Sequence, residues 1–425
     1  METCEPCQDG NIAALSGTFH VPRGCLAPQP AGSFQTLILR QVFFFNNRLH
    51  AQKGNRKMDR NASSLRLAVL SDCTLCPRNC HVNRLQGERG FCGETGLLRA
   101  ARAALYYNEE PVISGQRGSG TVFFTGCCLG CIYCQNRQIS RPAENAAAIS
   151  RGPSPEAFSA VGAPPLRTAA PYPAALELSP GRLCEIFFEL EEAGAHNINL
   201  VTPEHFVPLI LPALEQAKKQ GLSIPVVYNT GSYERVESVK ALEGVVDVWM
   251  PDLKYFSPAL SRSHLGVSDY FRYASAAIAE MVRQCPDPVF SDGSSEIDCP
   301  DDADDPLMLR GVLVRHLALP GCAEDSRAVL RYLHETYGDH IFISIMNQYT
   351  PMPQVLKKQE SAIDPGLFRR LSEKEYDALV EYAIDLGITN GFIQEGGTVS
   401  PSYIPVFDGT GIRRKSGTLQ PPVRL

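Results

Sequence analysis

Residues 118–140 read GSGTVFFTGCCLGCIYCQNRQIS, and the fold is decided by how that stretch is read. TVFF is a short apolar run ending near a glycine, the pattern of a buried strand leaving a sheet. Four cysteines in eight positions follow at once: Cys127, Cys128, Cys131 and Cys134. Downstream the rhythm is regular. RLCEIFFELEEAG puts Leu183, Ile186, Phe187 and Leu190 on one helical face, with Gly194 as the stop. NINLVTP, IPVVYNTG, VVDVWMPDLKY, MLRGVLVRHLALPG, HIFISIMNQYTP and FIQEGG read as strands with helical stretches between them. Strands alternating with helices of roughly 10–15 residues imply βαβ units and a parallel sheet with helices outside. The expected class is α/β, a full or partial TIM-type (β/α)6 barrel. Such barrels place their chemistry at the C-terminal ends of the strands, which is where the four thiols stand.

Outward from this stretch, residues 1–66 show no sustained period and are expected to form a poorly ordered extension. Residues 67–110 hold a cysteine-rich metal-binding segment, 111–410 the barrel and 411–425 a tail. Two insertions interrupt the barrel, an Ala/Pro/Ser-rich one at about 142–180 and an acidic one at about 285–306.

The 425 residues carry 44% hydrophobic and 20% charged side chains, ordinary for a globular enzyme with a sizeable core. The net charge of −6 gives no reason to expect nucleic acid or an anionic membrane as partner. No run approaches the roughly 20 apolar residues needed to span a bilayer. The first 25 residues lack the basic and apolar regions of a secretory signal. Fifteen cysteines, clustered in a chain of this size, point to metal or redox chemistry in a reducing compartment rather than a disulfide framework. The cytoplasm is expected, with an organellar address left open by the more basic residues up to Arg66.

Two registers compete for the second knot. Cys128, Cys131 and Cys134 begin a bacterial ferredoxin run, but its fourth ligand position is occupied by Gln138. Cys127, Cys131 and Cys134 form C-x3-C-x2-C, in which three thiolates hold three irons of a [4Fe–4S] cube and leave one iron open. An open iron is useful to a catalyst, because a substrate can chelate it. The bland alternative is a zinc site or unrelated buried thiols.

The second register resembles the signature of the radical S-adenosylmethionine (SAM) superfamily, and Tyr133 before the last cysteine is typical of it. The whole stretch is similar to the cluster loop of glycyl-radical-enzyme activases, especially pyruvate formate-lyase-activating enzyme. EEPVISG, NINLVTPEHF, VWMPDLKY and VRHLALPG resemble an uncharacterised branch that also carries a cysteine-rich segment before the barrel. The resemblance covers roughly 72–140 and 182–396. It implies a radical SAM iron–sulfur enzyme that reductively cleaves SAM to a 5′-deoxyadenosyl radical and abstracts a hydrogen atom, in the oxidoreductase class. It also implies an electron donor such as flavodoxin or ferredoxin, and as substrate a glycyl radical enzyme, another protein or a small molecule. By barrel position, it implies SAM contacts from Thr202, Glu204, Asn229, Thr230, Asp252 and Lys254, with Arg315 gripping the SAM carboxylate. VTPE stands where activases have Gly-Gly-Glu, a departure that bears on the substrate. The competing function is a non-catalytic iron–sulfur or zinc protein for electron transfer or scaffolding, which requires fully ligated metal and no SAM.

The first knot, SDCTLCPRNCHVNRLQGERGFCGE, spaces Cys73, Cys76, Cys80 and Cys92 as C-x2-C-x3-C-x11-C. Four thiols with glycine-permitted turns suit a closed site, zinc or a second iron–sulfur cluster, with a knot that holds no metal as the bland alternative. His81 is a minor candidate ligand, and Cys4, Cys7, Cys25, Cys184, Cys285, Cys299 and Cys322 are expected to be tail or core thiols.

Overall fold

The computed structural model describes residues 35–38, 67–141, 175–291, 306–351, 365–395 and 404–414. The bulk of the N-terminal extension, most of both insertions, and Cys4, Cys7, Cys25 and Cys299 lie outside these residues.

In chain order the strands are β1 (Gln35–Ile38), β2 (Arg99–Tyr106), β3 (Ser119–Phe124), β4 (Leu176–Glu177), β5 (Ile198–Val201), β6 (Val226–Thr230), β7 (Val248–Pro251), β8 (Val289–Phe290), β9 (Met308–Leu317), β10 (Phe342–Met346) and β11 (Gly391–Glu395). The helices are α1 (Pro111–Ser114), α2 (Arg137–Ser140), α3 (Pro180–Glu192), α4 (Val207–Gln220), α5 (Val236–Ala241), α6 (Pro258–Leu265), α7 (Tyr270–Gln284), α8 (Ala323–Tyr337) and α9 (Glu373–Asp385).

Strands β3, β5, β6, β7, β9, β10 and β11 lie side by side in that order, and each neighbouring pair is parallel. Strand order follows chain order with a helical crossover at each step, so the sheet winds in one direction, as a barrel does. The expected partial barrel is present, with one parallel strand more than six. It is open. Antiparallel β2 and β4 extend one edge, antiparallel β1 extends the other, and β8 pairs with β9 off the main path.

Three of these strands correct the reading of the flanks. Gln35–Ile38, from the extension expected to be unstructured, pairs with β11; Leu176–Glu177, inside the expected flexible insertion, pairs with β2. Val289–Phe290, at the start of the acidic insertion, pairs with β9. Two-residue and four-residue strands carry too little period to show in sequence; their partners select them.

β3, β5, β6 and β7 are buried along their whole length, as expected of parallel strands covered on both faces. Alternate residues split between two cores. Val227, Val248, Met250, Leu313, Phe342 and Phe392 point into the barrel, where Val112 and Ile113 of α1 join them. Leu200, Tyr228, Trp249, Val312 and Ile343 face outward under the helices. The predicted face of α3 is buried there too, Leu183, Ile186, Phe187 and Leu190, at about 1.5–3 kcal/mol for each large side chain. Ser179 caps that helix by accepting from the Arg182 amide at 3.1 Å.

The first knot packs on this frame. Leu70, Cys73 and Leu75 form a small cluster against Leu209 of α4. Arg84, 1% exposed, donates to the Thr95 and His205 carbonyls and so ties the knot to the turn after β5. Cys184, Cys285 and Cys322 are core residues, as expected.

Candidate active site at the open end of the strands

The C-terminal ends of β3, β5, β6, β7 and β9 open onto a cavity of about 240 Å3. Cys127, Cys131 and Cys134 line it, and so do Thr202, Glu204, Asn229, Thr230, Asp252, Lys254 and Arg315. These side chains come from five separate strand ends, and the parallel register alone brings them together. Cys128 is not among the lining residues. It is fully buried behind the loop, against Glu204 Oε1 at 3.5 Å and the Tyr233 carbonyl at 3.4 Å.

The loop turns its amides toward sulfur and its carbonyls away. The Leu129 amide donates to Cys127 Sγ at 3.3 Å, and the Asn136 amide stabilises the Cys134 thiolate. The same offset recurs in the first knot, where the Arg78 amide serves Cys76 and the Glu94 amide serves Cys92. Amide dipoles aimed at sulfur favour thiolate, the form that binds metal. Cys127 is drawn down to about 6 by the hydrogen bond from Cys128, with Arg141 and the Leu129 amide adding to it. Burial pushes Cys131 up to about 12 and raises Cys134 as well. A buried thiol of that kind sheds its proton when a metal replaces it.

Among the described residues, no three His, Cys, Asp or Glu side chains gather on a single ion position. Three soft thiols facing one cavity fit a cube, in which each sulfur takes a different iron, better than they fit a lone zinc. In the first knot, Cys73, Cys76, Cys80 and Cys92 are near enough to perturb one another, and four soft thiols suit zinc and an iron–sulfur cluster alike. His81 turns to Asp72 instead, at 2.8 Å.

A charged ladder crosses the cavity floor. Lys254 Nζ donates to Asp252 at 2.6 Å, and Arg315 donates to Asp252 at 3.0 Å, to Glu109 at 3.2 Å and to Asn229 at 2.6 Å. Burial opposes the charges on Asp252 and Lys254, but each is outweighed by its partners: Asp252 is held below the usual carboxylate range and Lys254 well above the usual ammonium range. Glu109 goes the other way. Burial lifts it to about 7 against the pull of Arg315. Glu204 is also raised, by burial and then by Cys127 and Glu234, and its Oε2 makes no hydrogen bond among the described residues.

Backbone strain marks the same places. All four non-glycine residues with positive φ among those described lie in the first knot (Asn79, His81) or at the strand ends around the cavity (Thr202 at 58°, Ser232 at 64°). A β-branched threonine in that region is a genuine outlier, and such outliers cluster where function holds them.

Sequence reasoning missed Glu109 and Glu110, which line the cavity from the linker between β2 and α1. Their stretch, EEPVISG, supported the resemblance, but nothing in a linker sequence says that it folds back over the strand ends.

No protein-family model matches the chain. It is 24% identical over 321 residues to the uncharacterized protein MJ0674 of Methanocaldococcus jannaschii, covering 74% of this chain and 75% of that one. Among solved structures it is similar to a domain of pyruvate-formate lyase-activating enzyme from Bacteroides vulgatus, with a TM-score of 0.30 and 15% identity over 45% of this chain and 91% of that one. It is also similar to Streptococcus suis SuiB bound to S-adenosylmethionine, with a TM-score of 0.36 and 9% identity over 64% of this chain and 48% of that one. The chain thus spans about half the length of SuiB.

Proposed function

We propose that the chain is a radical SAM enzyme, with a [4Fe–4S] cluster on Cys127, Cys131 and Cys134 and SAM on the open iron. One observation carries the reading: three thiols in the C-x3-C-x2-C register and all seven candidate SAM contacts line one cavity, while Cys128 does not. When bound, the cluster and SAM supply the electron and the radical that removes a hydrogen atom from the substrate.

The chain's own residues bind, orient and shield. Glu204 Oε2 is a buried acceptor without a hydrogen-bond partner among the described residues, suited to the SAM ammonium, whose charge would restore its carboxylate. Arg315 spends three of its N–H groups on Asp252, Glu109 and Asn229, which leaves two of the usual five to hold a carboxylate. Leu129, Tyr133, Leu317, Met346 and Ile404 give the cavity apolar walls that exclude water. The hydrogen donor in this reading is a protein, with a glycyl radical enzyme as the nearest case by resemblance. The thiols require a reducing compartment such as the cytoplasm.

The test uses anaerobically reconstituted protein, reduced with dithionite and given SAM. Iron, sulfide, zinc and 5′-deoxyadenosine are measured in wild type, Cys127→Ala and Cys128→Ala. Deoxyadenosine from wild type and Cys128→Ala, but not from Cys127→Ala, is the expected result. Wild type with a full cluster, no deoxyadenosine and no change in the cluster's EPR signal on adding SAM would leave an electron carrier.

A further inference from the structure

We infer that the outer side of the cluster loop, built around Phe91 with Arg78, Arg89, Arg141 and Arg262, is the docking surface for an acidic one-electron carrier protein. The inference rests on the radical reading above and adds where the electron enters.

Phe91 is 44% exposed although it is a large aromatic. Its ring lies between two guanidiniums, Arg78 at 3.6 Å and Arg141 at 4.4 Å from the centroid. Both arginines are fixed by the loop itself. Arg78 donates to the Cys128 carbonyl at 2.9 Å; Arg141 donates to the Cys127 carbonyl at 3.0 Å and to that of Leu129. Phe91 also rests on the loop backbone, since a Cβ added at Gly130 would meet its Cζ at 3.3 Å. The face continues to the end of α6, because Arg78 reaches the Leu265 and Gly266 carbonyls at 3.2 and 3.4 Å, and the exposed Arg262 stands one turn earlier. Arg89, also exposed, lies two residues before Phe91.

None of these five residues lines the cavity, although the loop they cover does. One side of the loop is therefore given to cofactor and substrate, and the other carries an aromatic set among cations. Reductive cleavage consumes one electron per event, and an electron arriving by the outer side crosses only the thickness of the loop. In the transfer, the carrier's prosthetic group loses one electron and the cluster gains it; no atom or proton moves. The charges select the carrier. Arg78 and Arg141 stand at the Phe91 ring, exposed Arg89 lies two residues from it and exposed Arg262 one turn before the carbonyls Arg78 holds, on a chain of net charge −6. An acidic partner is drawn to this face and repelled by the remainder. Aromatic and arginine side chains are also the types that protein interfaces enrich.

The test uses the double variant Arg89→Glu, Arg262→Glu, which leaves Arg78 and Arg141 in place; Arg89 also donates to the Gly93 carbonyl beside Cys92, so Arg262→Glu alone is run as the control for that contact. Flavodoxin, a small acidic flavoprotein, serves as the probe. Two quantities are read at low and high salt: its affinity by flavin fluorescence, and the rate at which its reduced form bleaches the cluster's visible band. The expected result is a loss of about tenfold or more in both at low salt, with the dithionite reduction rate, iron content and melting temperature unchanged. Phe91→Ala should lower the affinity without changing its salt dependence. A double variant that matches wild type at low salt would overturn the docking surface while dithionite-driven SAM cleavage leaves the radical reading standing. Protein that assembles no iron–sulfur cluster would overturn both.

Discussion

Arg315 and Asp252 are joined twice. The Arg315 Nε donates to the Asp252 carboxylate at 3.0 Å, and the two backbones pair across the ends of β9 and β7, with the Leu253 amide on the Arg315 carbonyl at 2.9 Å. The guanidinium is thereby fixed from its own backbone as well as from its partners, so it meets a ligand without reorganising. Breaking one side of a buried pair costs about 3–5 kcal/mol. Arg315→Ala should lower the melting temperature by several degrees and abolish SAM binding. Arg315→Lys should keep more of the stability yet lose at least tenfold in SAM affinity by titration, because an ammonium cannot reproduce the planar fork.

Glu204 is the contact that can be changed with its size and its bond to Cys128 kept. It is buried, and burial with Cys127 and Glu234 pushes its carboxyl well up, so Glu204→Gln keeps its size and removes a charge the surroundings oppose. The amide keeps an oxygen that can accept from Cys128 Sγ, so the melting temperature should fall by no more than a few degrees. SAM affinity should fall about tenfold, the scale of one hydrogen bond to a charged group. Unchanged affinity would remove Glu204 from the site.

Thr202 separates strain from contact. Its φ of 58° costs a non-glycine residue about 1–2 kcal/mol, and glycine would release that while losing about 0.4–1 kcal/mol through the freer unfolded chain. Thr202→Gly should therefore be more stable, by up to about 1.5 kcal/mol, in a denaturant titration. Thr202→Val, which keeps the strain and adds no polar partner, should be no more stable than wild type.

Glu109 gives a signed pH dependence. Its folded pKa of about 7 lies above the usual glutamate value near 4.5. Below pH 4.5 the group is protonated in both states; as pH rises toward 7 the unfolded chain ionises first, and this contribution to stability is lost. Glu109→Gln should therefore flatten the fall in melting temperature between about pH 5 and 7. An unchanged slope would mean that another buried carboxyl, such as Glu234 at about 7, dominates that window.

What the sequence determined by itself were the properties carried by local period and local spacing. Apolar strands alternating with amphipathic helices specify a singly wound parallel sheet, because each element buries only one kind of face. C-x3-C-x2-C after a buried strand specifies three thiols at a strand's C-terminal end. The tertiary structure decided what depends on residues distant in sequence. The fold set Asn229 against Arg315 by parallel register and Glu109 against it by folding the linker before α1 over the strand ends, from 86 and 206 positions away along the chain. It turned Cys128 into the buried back of the loop, and it laid Phe91 and Arg78 of the first knot over the outside of the second. It also shifted the carboxyls: burial moves Glu109 up and paired cations move Asp252 down, and desolvation and charge neighbours exist only once the chain has folded.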